Sequence, residues 1–291
     1  KLPGQPDVNF KQFAGYIDVD ENVVGRSLFY YFVEAEKDPL TQPLTVWLTG
    51  GPGCSSVGDA FGSVGPFIVT KDAHGLQTNL FSWSKVSNLL FIDSPIGSGW
   101  SYSNTSSDYN NGDDITNKIL FTFMQKWYEK YTVLKSKDLY LAGSSFARHF
   151  VPNLANALLD DNKQSKQSNL TSKDWLANFK YNKADKDLDM LPSLKNLLRQ
   201  SVPITIFSGD QDGIIPIEGT LQNLEKLAEE LNIKLTKEET WSFGTKEGGL
   251  KYEFGDLLKF LTVKGGNHHV TSSRPSQAFS IFSNFTINWM H

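Results

Sequence analysis

Apolar positions along this chain fall into two kinds of stretch. Residues 13–20 alternate as a half-buried strand does, residues 21–25 offer a turn, and residues 27–34 run back, which predicts an antiparallel hairpin at a sheet edge. Other stretches are short unbroken apolar runs, at 43–49, 88–93, 139–142, 203–207 and 259–263. Runs of that kind suit strands covered on both faces. Between them the period lengthens. Residues 115–131 carry Ile119, Phe123 and Trp127 on one helical face, and a second helix follows the 139–142 run through about residue 159. Further helices are expected at 191–199, with Pro192 in a tolerated first-turn position, at 219–231 and at 275–289. A polar, hairpin-like stretch precedes the last strand. Strands alternating with helices imply an α/β fold, with a mostly parallel central sheet covered by helices on both faces. Residues 160–189 are strongly polar and offer no strand. The expected organisation is one domain over residues 1–291, with a polar linker at about 160–190.

In such sheets, sites collect at the carboxyl ends of strands. Four suggestive stretches sit there. Gly50-Gly51-Pro52-Gly53 lets backbone approach a ligand closely, and Gly143-Ser144-Ser145-Phe146-Ala147 has the small flanking residues of a sharp strand-to-helix turn. Asp210 and Asp212 follow the fourth run, and His268 and His269 follow the fifth within a glycine-rich turn. A serine hydroxyl attacks usefully when a histidine takes its proton and an acid orients that histidine. The order Ser, Asp, His along the chain is the one found in α/β-hydrolases.

Charge and composition narrow the choice. A net charge of −4 without basic clustering excludes a nucleic-acid binder, and no apolar run is long enough to cross a bilayer. The histidines lack metal-ligand spacing, and the 50–53 loop lacks the lysine of a phosphate loop, so neither metal nor cofactor is expected. A single cysteine, Cys54, allows no internal disulfide and by itself suits a reducing compartment. Sequons at Asn104, Asn169 and Asn284 favour the secretory pathway, and the opening Lys1-Leu2-Pro3 reads as a mature N-terminus.

Residues 47–56, Trp47-Leu-Thr-Gly-Gly-Pro-Gly-Cys-Ser-Ser56, resemble the signature of plant serine carboxypeptidases and serine-carboxypeptidase-like proteins. Stretches 1–6, 13–16, 94–102 and 209–212, and Gly265 with His268, match as well. The resemblance covers nearly the whole chain outside the polar stretch after Asp160. It implies an α/β-hydrolase fold with Ser145 as nucleophile, His268 as general base and Asp212, spaced to Pro216 as in the family, as orienting acid. It also implies an oxyanion hole made by the Gly51 and Phe146 N–H groups, a peptide or acyl-ester substrate, and secretion or delivery to the vacuole.

The chain departs from the family at points that matter. Relatives hold a substrate's terminal carboxylate through an asparagine before the double glycine and through two glutamates. Here Thr49, Ser144 and Ser63 occupy those places beside Gly50, and Arg148 stands where the family has glycine. Carboxylate recognition is therefore expected to be weakened. The family's disulfide partner for Cys54 is missing. So are the lid insertion and the strand between the nucleophile and acid strands. Adjacent strands lie about 4.8 Å apart, so the missing strand is expected to displace Asp212 beyond hydrogen-bond reach unless the gap stays open or is filled. Three functions follow: a carboxypeptidase-like hydrolase, an acyltransferase using sugar-ester donors, or a shortened, inactive paralogue.

Overall fold

The computed structural model describes residues 1–20, 25–164, 185 and 188–286. Where one central sheet was expected, two main sheets carry the architecture. In the first, β1 (Gln12–Asp18) and β2 (Arg26–Val33) form the expected hairpin, with Gln12 opposite Val33 and Asp18 opposite Ser27. β2 pairs antiparallel with β6 (Asn88–Ile92), which runs parallel to β3 (Leu44–Leu48), and β3 runs parallel to β8 (Leu139–Gly143). A short β7 (Tyr102–Ser103) joins the outer end of β2, and β4 (Phe67–Val69) pairs with β5 (Leu76–Thr78) as a separate ribbon.

Every residue of β3 and β6 is buried, as unbroken apolar runs require. One face packs on α2 (Asp113–Lys130), where Val46, Leu90 and Ile92 meet Ile119, Phe123 and Trp127. The other face packs Trp47, Leu89 and Phe91 on α1 (Ser56–Ala60), Trp83 and Phe282.

The second sheet has the order β10 (Leu235–Phe243), β11 (Lys246–Phe254), β12 (Leu258–Val263), β9 (Ile204–Gly209). Only β9 and β12 run parallel. The polar stretch before β12 is a true hairpin of two nine-residue strands. The "mostly parallel" expectation thus holds for the centre of the molecule, while both outer edges are antiparallel. One face of this sheet packs on α4 (Leu191–Arg199) and α5 (Ile217–Glu230), through Leu198, Leu224, Leu227 and Phe260. The other packs on α6 (Val270–Ser273) and α7 (Pro275–Ser280). The chain then widens into a π-type turn over Ile281–Thr286, and the last residues of the helix expected at 275–289 lie outside the described residues.

The division falls between β8 and β9, where the sequence lacks a strand. Among the described residues no strand pairs with the outer edge of either. Residues 139–142 of β8 and 204–208 of β9 are half-buried, whereas β12 is buried throughout. The backbone beside the division therefore does not lie in a dry core. Below the sheets, α3 (Ala147–Gln164) meets α4 through a polar seam. Ser193 Oγ bonds Asn153 Oδ1 at 2.8 Å, Asn156 Nδ2 donates to the Ser193 carbonyl at 3.2 Å, and Asn196 Nδ2 donates to Asn156 Oδ1 at 2.7 Å.

Candidate active site

The turn after β8 is tight. Ser145 sits at φ +58°, a left-handed conformation uncommon for a residue with a side chain and frequent at functional positions. A Cβ on Gly143 would lie 2.6 Å from both Ala147 Cβ and the Leu48 carbonyl oxygen. The flanking positions must therefore be small, and alanine suffices at 147. The turn closes with Ala147 N–H donating to the Ser144 carbonyl and Arg148 N–H to that of Ser145, both at 3.1 Å, and α3 begins.

His268, on the loop after β12, faces this serine. Its Nε2 lies 3.0 Å from Ser145 Oγ and its Nδ1 2.9 Å from Asp212 Oδ2. The His268 and Asp212 side chains are 13% and 7% exposed. The Asp212 carboxylate also accepts the Ile214 N–H at 2.8 Å and the Ile215 N–H at 3.0 Å. Burial alone would raise its pKa, but the Ile215 N–H, His268 and the Ile214 N–H together hold it below the ordinary value.

The neighbouring residues Asp210 and His269 make different contacts. Asp210 accepts the Gly265 N–H at 2.6 Å and so caps the glycine turn, while His269 is exposed beyond it. The acid and histidine loops meet closely because Gly209 has no side chain: a Cβ there would lie 2.1 Å from the Gly266 carbonyl oxygen. The missing strand is expected to displace Asp212 unless the gap stays open. Among the described residues it stays open, β9 and β12 form a paired unit whose loops lean across to β8, and both histidine contacts form.

The Gly50-Gly51 loop backs directly onto the elbow. A Cβ on Gly50 would lie 2.4 Å from the Phe146 amide nitrogen, and Gly51 sits at φ +112°. Both positions demand glycine. The Gly51 and Phe146 amides thus belong to two backbone segments in contact beside Ser145. The loop is held by Asp93, a fully buried carboxylate at the end of β6. It accepts Ser55 Oγ at 2.7 Å, Val57 N–H at 3.1 Å and Trp100 N–H at 3.0 Å.

Two candidate substrate contacts turn inward. Thr49 Oγ1 donates to Asp59 Oδ2, which also takes the Trp47 Nε1 hydrogen at 2.9 Å. Ser63, 3% exposed, directs its hydroxyl at the Asp59 carbonyl, 3.3 Å away. Ser144 remains half-buried within the elbow, and Arg148 is exposed with its guanidinium carbon 5.5 Å from the Phe146 ring centroid. Asp59 and Asp93 were missed in the sequence. Their signal, an acid ending an apolar strand or opening a short helix, is the same as that of any turn residue. Cys54 is a free, exposed thiol. Asn104 and Asn284 are exposed, and Asn169 lies outside the described residues. Among the described residues no group of three or more His, Cys, Asp or Glu could hold a metal, and no helix is long and apolar enough to cross a membrane.

The family profile described as serine carboxypeptidase matches residues 3–174 and 170–288. Serine carboxypeptidase-like 44 of Arabidopsis thaliana is 35% identical over 429 residues, covering 99% of this chain and 89% of its own length. Serine carboxypeptidase-like 32 from the same plant is 48% identical over 172 residues, covering 58% of this chain and 37% of its own length. The 429-residue alignment against a chain of 291 residues, and the two profile matches meeting at 170–174, put the family's extra residues after α3, where the sheet divides. Among solved structures, the prohormone-processing carboxypeptidase Kex1(delta)p of Saccharomyces cerevisiae superposes with a TM-score of 0.75 at 18% identity, covering 94% of this chain and 91% of its own. An acetyl xylan esterase from Aspergillus awamori superposes at 0.53 and 11% identity, covering 92% of this chain and 99% of its own. These two likenesses establish an α/β-hydrolase fold, and with the profile and the plant relatives the conclusion is direct: the chain belongs to the serine carboxypeptidase family.

Proposed function

We propose that this protein is a serine-type carboxypeptidase-like hydrolase acting through an acyl-enzyme at Ser145. The observation that carries the reading is His268, bonded at 3.0 Å to Ser145 Oγ and at 2.9 Å to Asp212. Asp212 accepts from Nδ1, which leaves the Nε2 lone pair toward the serine. Ser145 Oγ attacks the acyl carbon as His268 Nε2 takes its proton, and the resulting oxyanion is received by the Gly51 and Phe146 N–H groups. His268 then protonates the leaving amine, and water repeats the sequence to release the acid. Loss of one oxyanion donor would cost about two to three orders of magnitude in turnover. Aligned acids and amides of this kind act without a metal or an organic cofactor.

The nominal reaction is release of a C-terminal residue from a peptide. The Thr49 and Ser63 hydroxyls are committed to Asp59, so neither is available to bind a terminal carboxylate. That observation favours a second reading, an acyltransferase taking its acyl group from a neutral sugar ester. Ser144 and Gly50 then contribute to acyl binding in either case. Exposed sequons at Asn104 and Asn284 support passage through the secretory pathway to the vacuole or outside the cell.

A serine-directed fluorophosphonate tests the shared step. Labelling of the folded protein that disappears in Ser145→Ala is expected. A folded wild type that stays unlabelled refutes both enzyme readings and leaves the shortened, inactive paralogue. Amino-acid release from blocked dipeptides, measured against transfer from an acyl-glucose, separates the two enzyme readings.

A further inference from the structure

Behind the elbow lies a second histidine–carboxylate pair that the proposed chemistry does not use. His149, in the first turn of α3, is fully buried, with Nδ1 2.8 Å from Asp113 Oδ2 on the first residue of α2. A carboxylate only accepts, so Nδ1 carries the hydrogen. Nε2 has no hydrogen-bond partner in the described structure. The imidazole lies flat on the Phe146 ring, with centroids 4.2 Å apart and planes 6° apart, and Phe150 meets the same ring edge-on at 5.5 Å.

A histidine placed here for packing alone is an expensive choice, because burying an unpaired ring nitrogen is unfavourable and a leucine would fill the space without that penalty. What the imidazole adds is a fixed orientation. Its bond to Asp113 stops the ring rotating, and Asp113 belongs to a helix anchored on β3 and β6 by Ile119, Phe123 and Trp127. A ring held in that plane holds the Phe146 ring against it. The backbone adds a second tie, since His149 N–H donates to the Phe146 carbonyl at 3.0 Å. Phe146 is the residue whose amide lies against Gly50 beside Ser145. A rigid series of contacts therefore runs from the packed α2 core to one peptide group of the candidate oxyanion hole.

We propose that His149 and Asp113 are positioning residues that set the Phe146 amide beside Ser145. The kinetic consequence rests on the reading of Ser145 as nucleophile, whereas the structural consequence does not. Two measurements keep them apart: the exchange rate and 15N–1H shift of the Phe146 amide, and the rate at which Ser145 is acylated by an ester. Leu154→Ala, a fully buried site further along α3, is the control for general loosening.

In His149→Ala and Asp113→Ala the Phe146 amide is expected to shift and to exchange about 10-fold faster or more, while Leu154→Ala leaves it in place. Acylation should slow by about 10- to 100-fold with little change in KM, as expected when a transition-state donor is misplaced by a fraction of an ångström to an ångström. Asp113→Asn retains an acceptor for Nδ1–H and should restore the amide shift and most of the rate. An unmoved Phe146 amide in His149→Ala, or an equal change in Leu154→Ala, overturns the proposal. If His149→Ala does not fold, Asp113→Ala against Asp113→Asn decides the same point. A wild type that is not acylated overturns the proposed function, and the amide measurement still decides this inference.

Discussion

The two halves of the molecule are built on different terms. In the first, β3 and β6 lie in the middle of a sheet with every residue buried and helices on both faces. In the second, β12 is equally buried, but its neighbour β9 is half-buried along residues 204–208, as β8 is across the division. In each half a poorly covered strand lies beside a fully buried one, and these two poorly covered strands face the break. Chemistry and cover are thus distributed in opposite ways. Ser145, Gly51 and Phe146 come from the first half and Asp212 and His268 from the second, so the candidate site bridges the two bodies where they are least consolidated. Burial of apolar surface stabilises each half internally. The halves are held in register by the Trp83–Phe282 ring stack together with polar contacts at the seam between α3 and α4 and at His268.

The largest expected effect removes the bridge itself. Asp212→Asn keeps the shape but no longer secures the Nδ1–H tautomer of His268, so Ser145 acylation should fall by about 10⁴-fold, as in other Ser-His-Asp sites. The secondary structure should stay unchanged, because the substitution leaves the packing of β9 on β12 intact. A loss below about 10-fold in the ester assay would mean that the second half does not supply the acid, and the bridge between the halves would lose its functional content.

The contrast in cover is tested next. Leu90→Ala removes a fully buried side chain from β6 and should cost about 2–5 kcal/mol in urea unfolding. Ile206→Ala, in half-buried β9, should cost roughly half as much, because part of its surface is already in water. Equal losses would show that the β9 side of the division is as well packed as the first sheet. The seam is weaker still. Asn156→Ala deletes the bonds to the Ser193 carbonyl and Asn196, and about 1–2 kcal/mol is expected. The more informative signal is cooperativity: loosening the seam should lower the apparent m-value as the halves begin to melt separately.

Much of this was legible in the chain, for reasons that differ by element. The runs at 43–49 and 88–93 announce buried strands because they are short, apolar on both faces and bounded by turn residues such as Pro43, Gly50 and Pro95, and β3 and β6 are those strands. Ser145 was legible because the elbow constrains its neighbours: Gly143 and Ala147 are small where any larger side chain would collide. The residues alone narrow the acid and base only to pairs, Asp210 or Asp212 and His268 or His269, since adjacent polar residues on a turn are equivalent until their directions are known. It is the resemblance, through the spacing to Pro216 and from Gly265, that selects Asp212 and His268. The structure separates them by hydrogen bonding, with Asp210 turned to Gly265. Less was legible where the partner is distant in the chain. Nothing near Thr49 marks Asp59 as the group that draws its hydroxyl inward, and nothing near His149 marks Asp113, 36 residues away, as its partner. The split was the hardest case. A missing strand between the nucleophile and acid strands is expected to displace Asp212 unless the gap stays open. Among the described residues the gap between β8 and β9 does stay open, and His268 on the loop after β12 reaches both Asp212 and Ser145.

The smallest expected effect compares how acid acts on the two halves. Each contains a carboxylate held below its ordinary pKa against the opposing effect of burial: Asp212 by the Ile215 and Ile214 N–H groups and His268, and Asp108 by Arg26 and Ser103. A depressed folded pKa means that the unfolded state binds more protons as the pH falls through the carboxylate range. The stabilisation is then complete above the unfolded value of about 4 and is lost progressively below it, as the folded pKa is crossed. Between pH 5 and pH 2 the unfolding free energy of the wild type should fall more steeply than that of Asp212→Asn or Asp108→Asn, each of which removes at most about one linked proton. The two variants should separate by probe. Asp212→Asn should flatten the acid response of signals from the second half, such as Trp241 on β10, while Asp108→Asn should flatten those of the β2–β7 corner, where Arg26 spans from the sheet to residue 108. If each substitution flattens both sets of signals equally, the halves titrate as one cooperative unit and the division between β8 and β9 is structural without being energetic.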